Sequence, residues 1–599
     1  MAAGLLLLPA SANAPSEGDP IEAAKEFRAY LDADWKRWME LYPEFATSVG
    51  YPGPNRRWLD NSPEGIEARK AHLAESLRRL KAFSRRALPA AGQLDYDLYR
   101  ELLETAEEGL QYGDDPLPFR SVVPGNLWLP LSQMGGVQQG AAETLSTQPR
   151  QRVADYEEIV ARLEALPKHV REQQALLSEG LLKGFSQPKI AMRDVPKQIA
   201  DLVPEDPMKS ALLEAFTDYP PSVGEADRAR LTARARQVYS SAVRPAFIKL
   251  HDYVANTYVP ACRDTIAATA LPNGAANYAF HVRWQTTTSL TPQQIHDIGL
   301  SEVKRIRAEM DTLIRATGFR GSFHDFTEFL RNDRRFYFEK PEDLINAYKI
   351  VAKSIDPQLV HEFGKLPRNQ YGVIPIPDFK APSQTTAYYQ PGAPAAGRPG
   401  YYFVNTYNLA ARPKWEMEAL SLHEAVPGHH LQISLSQELD DVPEFRKHVG
   451  YSAFVEGWAL YGESLGEELG LYKDPYAKFG QLSYEMWRAV RLVVDTGMHT
   501  LGWSREQALQ FFKDHTGKTD QDITVEVDRY IVWPGQALAY KIGQLKIRDL
   551  RTMAEQKQGP HFDVKGFHDA VLEAGALPLN VLEPRVRHWI DMQAKRESR

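Results

Sequence analysis

The sequence holds a single cysteine, Cys262. An internal disulfide is excluded, and so is any zinc or iron–sulfur site built from several thiolates. A metal in this chain has to be held by His, Asp and Glu. Long apolar runs are also missing. No segment approaches about 18 consecutive apolar residues, so the sequence predicts no stable membrane insertion. A cationic excess is absent as well. Lys and Arg number 71 against 78 Asp and Glu, for a net charge of −7. Nucleic-acid binding calls for a basic domain and is not expected here. No unit recurs at a fixed period of roughly 20–50 residues, which argues against a solenoid.

What remains is an ordinary globular composition, 43% hydrophobic and 25% charged over 599 residues. That is ample for a large core without covalent staples. At the N-terminus an apolar stretch ends in Ala12-Asn13-Ala14, a small-x-small pattern. Residues 1–14 therefore read as a signal peptide that lacks its positively charged start, and the expectation is an exported protein, periplasmic or secreted.

From residue 15 to 290 the pattern is helix after helix. Residues 21–42 place Phe27, Leu31, Trp35, Trp38 and Met39 at helical spacing. Segments 64–83, 92–112, 147–178 and 225–258 behave alike. This stretch is expected to form a helical N-terminal lobe, and 291–599 a catalytic lobe of the same unit. Thr291, Pro292 and Gln294 spell a capped helix start. Residues 366–411 lose helical periodicity and are rich in Pro, Gly, Tyr and Ala. Within them, 401–406 has strong strand propensity. It reads either as part of a small hairpin covering the core or as an edge strand facing substrate. In the second reading Tyr402 and Asn405 bind substrate. Long helices resume after Trp415. The fold class expected is mainly α with a small antiparallel β element.

The densest chemistry lies at His423-Glu424-Ala-Val-Pro427-Gly428-His429-His430. Zinc peptidase helices present His-Glu-x-x-His, so that two imidazoles share one face and the Glu serves as general base. Here the fourth position after His423 is Pro427, which cannot ligate. The next histidines come at the sixth and seventh. Pro427 and Gly428 make an unbroken helix improbable, and a kink or bulge there would return one histidine toward His423. The residues alone leave His429 and His430 both open. Glu456, 27 residues after His429, sits among apolar residues, where an unpaired carboxylate is costly and a metal would neutralise it. Glu463, Glu467 and Glu468 read as supports behind the metal or as solvated groups. A second near-match, His361-Glu362-Phe-Gly-Lys365, carries a cation at the second ligand position and is not expected to bind metal. Arg491, Asp495 and His499 fall at i, i+4 and i+8 on one helix face. They read either as a buried ion-pair network or as a site where Arg491 grips a substrate carboxylate.

The His423–His430 segment resembles the bacterial family called domain of unknown function 885. So do Phe454-Val-Glu456-Gly-Trp-Ala-Leu-Tyr461 and Arg529-Tyr530-Ile-Val-Trp533-Pro534-Gly-Gln-Ala-Leu-Ala-Tyr540-Lys-Ile-Gly543, and, near the start, Tyr42-Pro-Glu-Phe-Ala-Thr47-x-x-Gly50. The resemblance spans nearly the whole chain after the signal segment. The family is in turn similar to helical zinc peptidases: angiotensin-converting enzyme, thimet oligopeptidase and the Taq-type carboxypeptidase. That likeness implies a two-lobed helical body with a deep channel. It implies one zinc ion per chain on His423, His429 and Glu456, with His430 as the alternative to His429. It also implies that the Tyr530 hydroxyl stabilises the oxyanion, with Tyr540 next in line. The expected function is zinc-dependent hydrolysis of short peptides, with Glu424 as general base. The alternatives are a zinc amidase acting on a modified or small-molecule amide and a non-catalytic periplasmic binding or scaffold protein.

Overall fold

A computed structural model of the chain describes residues 20–119, 125–378, 381, 384–394 and 397–597, so the signal segment 1–14 lies outside the described residues. The protein is 70% helical. Helices Pro20–Leu41, Pro63–Ala82, Ala90–Gly109 and Val153–Leu182 fall where apolar periodicity predicts them, the last starting a little late. The stripe of Phe27, Leu31, Trp35, Trp38 and Met39 is buried. The segment predicted as one helix over 225–258 is helical but contains two π segments, Tyr239–Val243 and Val254–Tyr258. Each ends two residues before a proline, Pro245 or Pro260. A wider turn absorbs the missing N–H and the clash with the preceding carbonyl.

Buried side chains form two main clusters. One joins the first three of these helices to the C-terminal half, from Phe27 through Ile590. The other gathers Trp58 with residues between Leu131 and Cys262. Among the described residues no helix is long and apolar enough to cross a membrane.

Helix α1, Pro292–Ala316, starts as its sequence predicts: Thr291 Oγ1 accepts from the Gln294 N–H at 3.2 Å and the Gln294 side chain accepts from the Thr291 N–H at 2.9 Å. The aromatic-rich region builds a three-stranded sheet of β1 (Tyr371–Pro375), β2 (Ala387–Gln390) and β3 (Gly400–Val404), in the order β1-β3-β2. Two expectations are corrected here. The sheet is mixed rather than antiparallel, because β3 runs parallel to β1 and antiparallel to β2. And β3 is the central strand, not an edge: both of its backbone edges are paired, and Tyr402 and Val404 point into the core.

Six helices then frame the site: α2 (Met417–Glu424), α3 (His429–Gln437), α4 (Ser452–Ser464), α5 (Pro475–Thr500), α6 (Asp520–Val532) and α7 (Ala539–Gln558). Helix α5 is buried along nearly its whole length and packs on α1. Helices α4 and α7 approach each other through Gly457 and Gly543. A Cβ on either glycine would run into the backbone of the opposite helix. That approach sets where α4 carries Glu456.

A candidate metal centre

The histidine motif folds as two helices joined by a turn. Helix α2 ends at Glu424, residues 425–428 turn, and His429 is the first residue of α3. The Val426–Pro427 peptide is cis. The turn is pinned from both sides. The His430 N–H reaches the Ala425 carbonyl at 3.0 Å, and the Trp458 indole N–H donates to the Pro427 carbonyl at 2.8 Å. Gly428 passes so close to the end of α2 that a Cβ would collide with the His423 carbonyl. The expected kink is thus a full break, and it places the second histidine at the head of a new helix.

The break brings three donor atoms together. His423 Nε2 lies 3.5 Å and His429 Nε2 3.3 Å from Glu456 Oε2. One ligand atom from each of these residues falls within 4.8 Å of the others. Glu456 Oε2 is buried with no hydrogen-bond partner. A tetrahedral zinc with bonds of about 2.0–2.1 Å holds its ligands roughly 3.3–3.4 Å apart. The donor set, two imidazoles and a carboxylate, fits such an ion in kind, and both imidazole–carboxylate distances fit it in spacing.

Behind the ligands lies support that the sequence hinted at only weakly. Glu463, two turns along α4 from Glu456, is fully buried and meets His423 Nδ1 at 2.8 Å. That contact fixes the tautomer and leaves Nε2 free to face the cluster. Arg488 of α5 lies 3.2 Å from Glu463. Burial alone would lower the His423 pKa, but contacts with Glu456 and Glu463 raise it to about 9. Burial would raise Glu456, yet His429 and His423 hold it well below the usual carboxylate range. The pocket therefore favours positive charge between these groups, which a cation also supplies. Glu467 and Glu468 point elsewhere, to Lys478 and Arg551.

His430 is not part of the cluster. Its Nε2 faces the Asn369 carbonyl at 3.2 Å, so that nitrogen donates, and Nδ1 accepts from the Tyr389 hydroxyl at 2.9 Å. Burial holds its pKa down at about 4. Glu424 ends α2 directly after His423, is 8% exposed, and its charge acts on His423.

The two candidate tyrosines separate. The Tyr530 hydroxyl donates to Glu526 at 2.6 Å and accepts from Arg491 Nε at 2.9 Å. Tyr540 lies nearer the cluster. Its ring is nearly parallel to that of His423, 6.5 Å away, and the Glu456 charge helps burial to raise its pKa. Arg491 covers the Tyr540 ring at 4.4 Å and pairs with Glu526 at 3.0 Å. The residues of the Arg491–Asp495–His499 ladder pair with other segments: Arg491 forms a buried ion pair with Glu526. Asp495 accepts from the Tyr278 hydroxyl and the Gly535 N–H, while His499 spans Ala268 N–H and the Tyr530 carbonyl. Tyr402 is fully buried, edge-on to Tyr348. The Asn405 amide holds the carbonyls of Ala381, Gln384 and Thr385. Neither is one of the clustered ligands, although the Glu424 charge acts on Tyr402. Sequence reasoning gave no role to Arg529, whose guanidinium lies 3.5 Å from Glu526.

The same fold occurs in two solved structures. One is titled "putative lipoprotein from Colwellia psychrerythraea", with a TM-score of 0.88, 26% identity, and coverage of 95% of this chain and 99% of that one. The other is titled "a putative lipoprotein of unknown function from Shewanella oneidensis", with a TM-score of 0.69, 18% identity, and coverage of 93% and 99%. No curated protein matches the sequence. A model of one family, described as "Bacterial protein of unknown function (DUF885)", matches residues 43–586, and the chain belongs to that family.

Proposed function

We propose that the protein is a zinc-dependent hydrolase that cleaves peptide bonds in short peptides. The observation that carries this reading is the convergence of His423, His429 and Glu456 beside a carboxylate, Glu424, that no metal ligand set requires. A zinc ion held by the three would supply Lewis acidity to a water and to the substrate carbonyl. The chain's own groups do the rest. Glu424 accepts the water proton as the water attacks and delivers it to the leaving amine. Glu463 keeps the His423 imidazole oriented with Nε2 toward the cluster. Tyr540 is the better placed hydroxyl donor for the developing oxyanion. Tyr530, engaged with Glu526, orients Arg491 instead. We also propose an exported, envelope-associated location. It is supported by the Ala12-Asn13-Ala14 pattern and by the lipoprotein titles of the two similar structures.

Two measurements test the reading. Metal analysis of the purified protein should find about one zinc per chain. Digestion of a peptide pool, read by mass spectrometry, should show cleavage that a chelator abolishes and zinc restores. Glu424→Gln should keep its zinc while turnover falls by roughly 10²–10⁴-fold. Near-normal turnover in that variant rejects Glu424 as the base, and a zinc-free protein after reconstitution rejects the site.

A further inference from the structure

A cavity of about 410 Å³ opens at the head of α4, where Tyr451 lines it. Its other walls come from three separate segments. Glu101 and Leu102 belong to the helix Ala90–Gly109, Trp284 and Thr287 lie at the end of the helix Gly274–Thr286, and Asn580 is at the rim. The volume falls within the roughly 300–1,000 Å³ of small-molecule sites. None of these residues takes part in the metal cluster.

Two polar groups on the wall are incomplete. Tyr451 is 7% exposed, and its hydroxyl is buried without a hydrogen-bond partner. Glu101 is half-buried and makes no ion pair among the described residues. The charges around them are engaged elsewhere. Arg283 pairs with Glu108, and Arg446, which acts on Tyr451, pairs with Asp95. Arg100 is the one charge that acts on Glu101. It is exposed and lies 3.8 Å from Glu104, which Lys81 also approaches at 3.4 Å. Burial accordingly raises the Glu101 carboxyl to about 7, and burial followed by the Glu101 charge pushes the Tyr451 hydroxyl well above its ordinary range. The two groups therefore share one field, which a positive charge between them would relieve.

The chemistry of the wall says which cation. A carboxylate beside a hydroxyl with no partner suits a cation that carries N–H donors. Among the described residues, the His, Cys, Asp and Glu side chains that converge in threes are those of His423, His429 and Glu456, so a tightly held metal ion does not fit here. An indole ring and a leucine favour an organic body over a hydrated inorganic ion. The wall is also held in a costly shape. Thr287 has φ at 49°, a left-handed value strained for a β-branched residue, and its hydroxyl is fixed by the Leu579 N–H at 2.8 Å. Such strain gathers at ligand sites.

We infer that this cavity binds a primary ammonium or guanidinium group carried on an apolar body. Glu101 supplies the counter-charge, the Tyr451 hydroxyl accepts an N–H, and Trp284 and Leu102 flank the apolar part. Free amines and the side chains of Lys and Arg share this chemistry. The site stands independently of the peptidase reading.

Isothermal calorimetry on the full-length protein tests it, with phenethylamine as the probe. One saturable site per chain is expected. Glu101→Gln should weaken binding at least about tenfold, as loss of a charge-assisted contact implies. Its melting temperature should equal or exceed that of the wild type, because a buried carboxylate without a partner is costly. Tyr451→Phe removes only the hydroxyl and should weaken binding several-fold. Phenethyl alcohol, which lacks the charge, and phenethyltrimethylammonium, which lacks N–H donors, should each bind at least about tenfold more weakly than the amine. Nα-acetyl-lysine amide separates the sources: tighter binding than phenethylamine assigns the site to a peptide side chain, and weaker binding to a free amine. No binding by either amine overturns the proposal. So does equal binding by the wild type and a folded Glu101→Gln, or by the amine and the alcohol. Displacement of the amine by potassium would assign the cavity to an inorganic cation and overturn it as well.

Discussion

The imidazole of His430 has both nitrogens committed, one to a carbonyl and one to a tyrosine hydroxyl, and its ring packs on Tyr371 at 4.4 Å. The imidazole of His429 has Nε2 turned to Glu456, and its Nδ1 is buried without a partner. Adjacent positions on a helix point about 100° apart, so the two rings cannot serve one ion together. His429→Ala should lose the metal. His430→Ala should keep it but cost about 1–3 kcal/mol, because a buried hydroxyl and carbonyl lose their partner. Metal content and denaturant titration of the two variants would check this. Metal loss from His430→Ala alone would reverse the assignment. The choice was open in the residues because it depends on where α3 begins. Glu463 was more legible than it was used: seven residues after Glu456, it shares that residue's helix face.

At the scale of elements, α4 and α7 carry the site's geometry through their mutual approach. Gly457 and Gly543 let the two backbones meet where any side chain would separate them. Gly543→Ala should therefore cost about 1–3 kcal/mol by overpacking. It should also weaken zinc binding, because α4 carries Glu456 and would be displaced. Calorimetric unfolding and zinc titration measure the two effects. A stable protein with unchanged zinc affinity would mean that the site does not depend on this packing. Helix positions were readable from apolar period and caps: the stripe of Pro20–Leu41 and the Thr291 box fold as their sequences predict. The sheet was less so. Strand propensity located β3, but β1 pairs with it from across an intervening 24-residue stretch whose turns carry no register signal. Parallel pairing over such a distance is set by tertiary packing and leaves no local pattern. The break between α2 and α3 was foreseen at Pro427 and Gly428, but its form depends on Trp458, which belongs to another helix.

For the molecule as a whole, α5 acts as a polar spine inside an apolar body. Glu485, Arg488, Arg491, Asp495 and His499 each reach a different segment: Lys541, Glu463, Glu526, Tyr278 and Ala268. The spine ties α4, α6, α7 and the end of the N-terminal helices to one axis, and Arg305 of α1 joins it through Glu485. It therefore couples the folding of the whole chain to the state of a few buried groups. His499 is the clearest. Its Nδ1 accepts from the Ala268 N–H at 2.9 Å, and its Nε2 donates to the Tyr530 carbonyl at 3.0 Å. A proton on Nδ1 would set two donors against each other. Burial holds its pKa down at about 4, below the ordinary imidazole value of 6.5. The unfolded chain then binds more protons than the folded one between these values. The contribution of His499 to stability is fully present above about pH 6.5 and is lost as pH falls toward 4. Asp495 works in the opposite sense, because burial raises it to about 7, so the pH profile of the wild type alone does not isolate His499. His499→Asn removes only the titrating ring. Its melting temperature should lie below that of the wild type at pH 7, and the gap should narrow steadily toward pH 4. A gap that stays constant over that range would mean that His499 takes up its proton in the folded protein as freely as in the unfolded one.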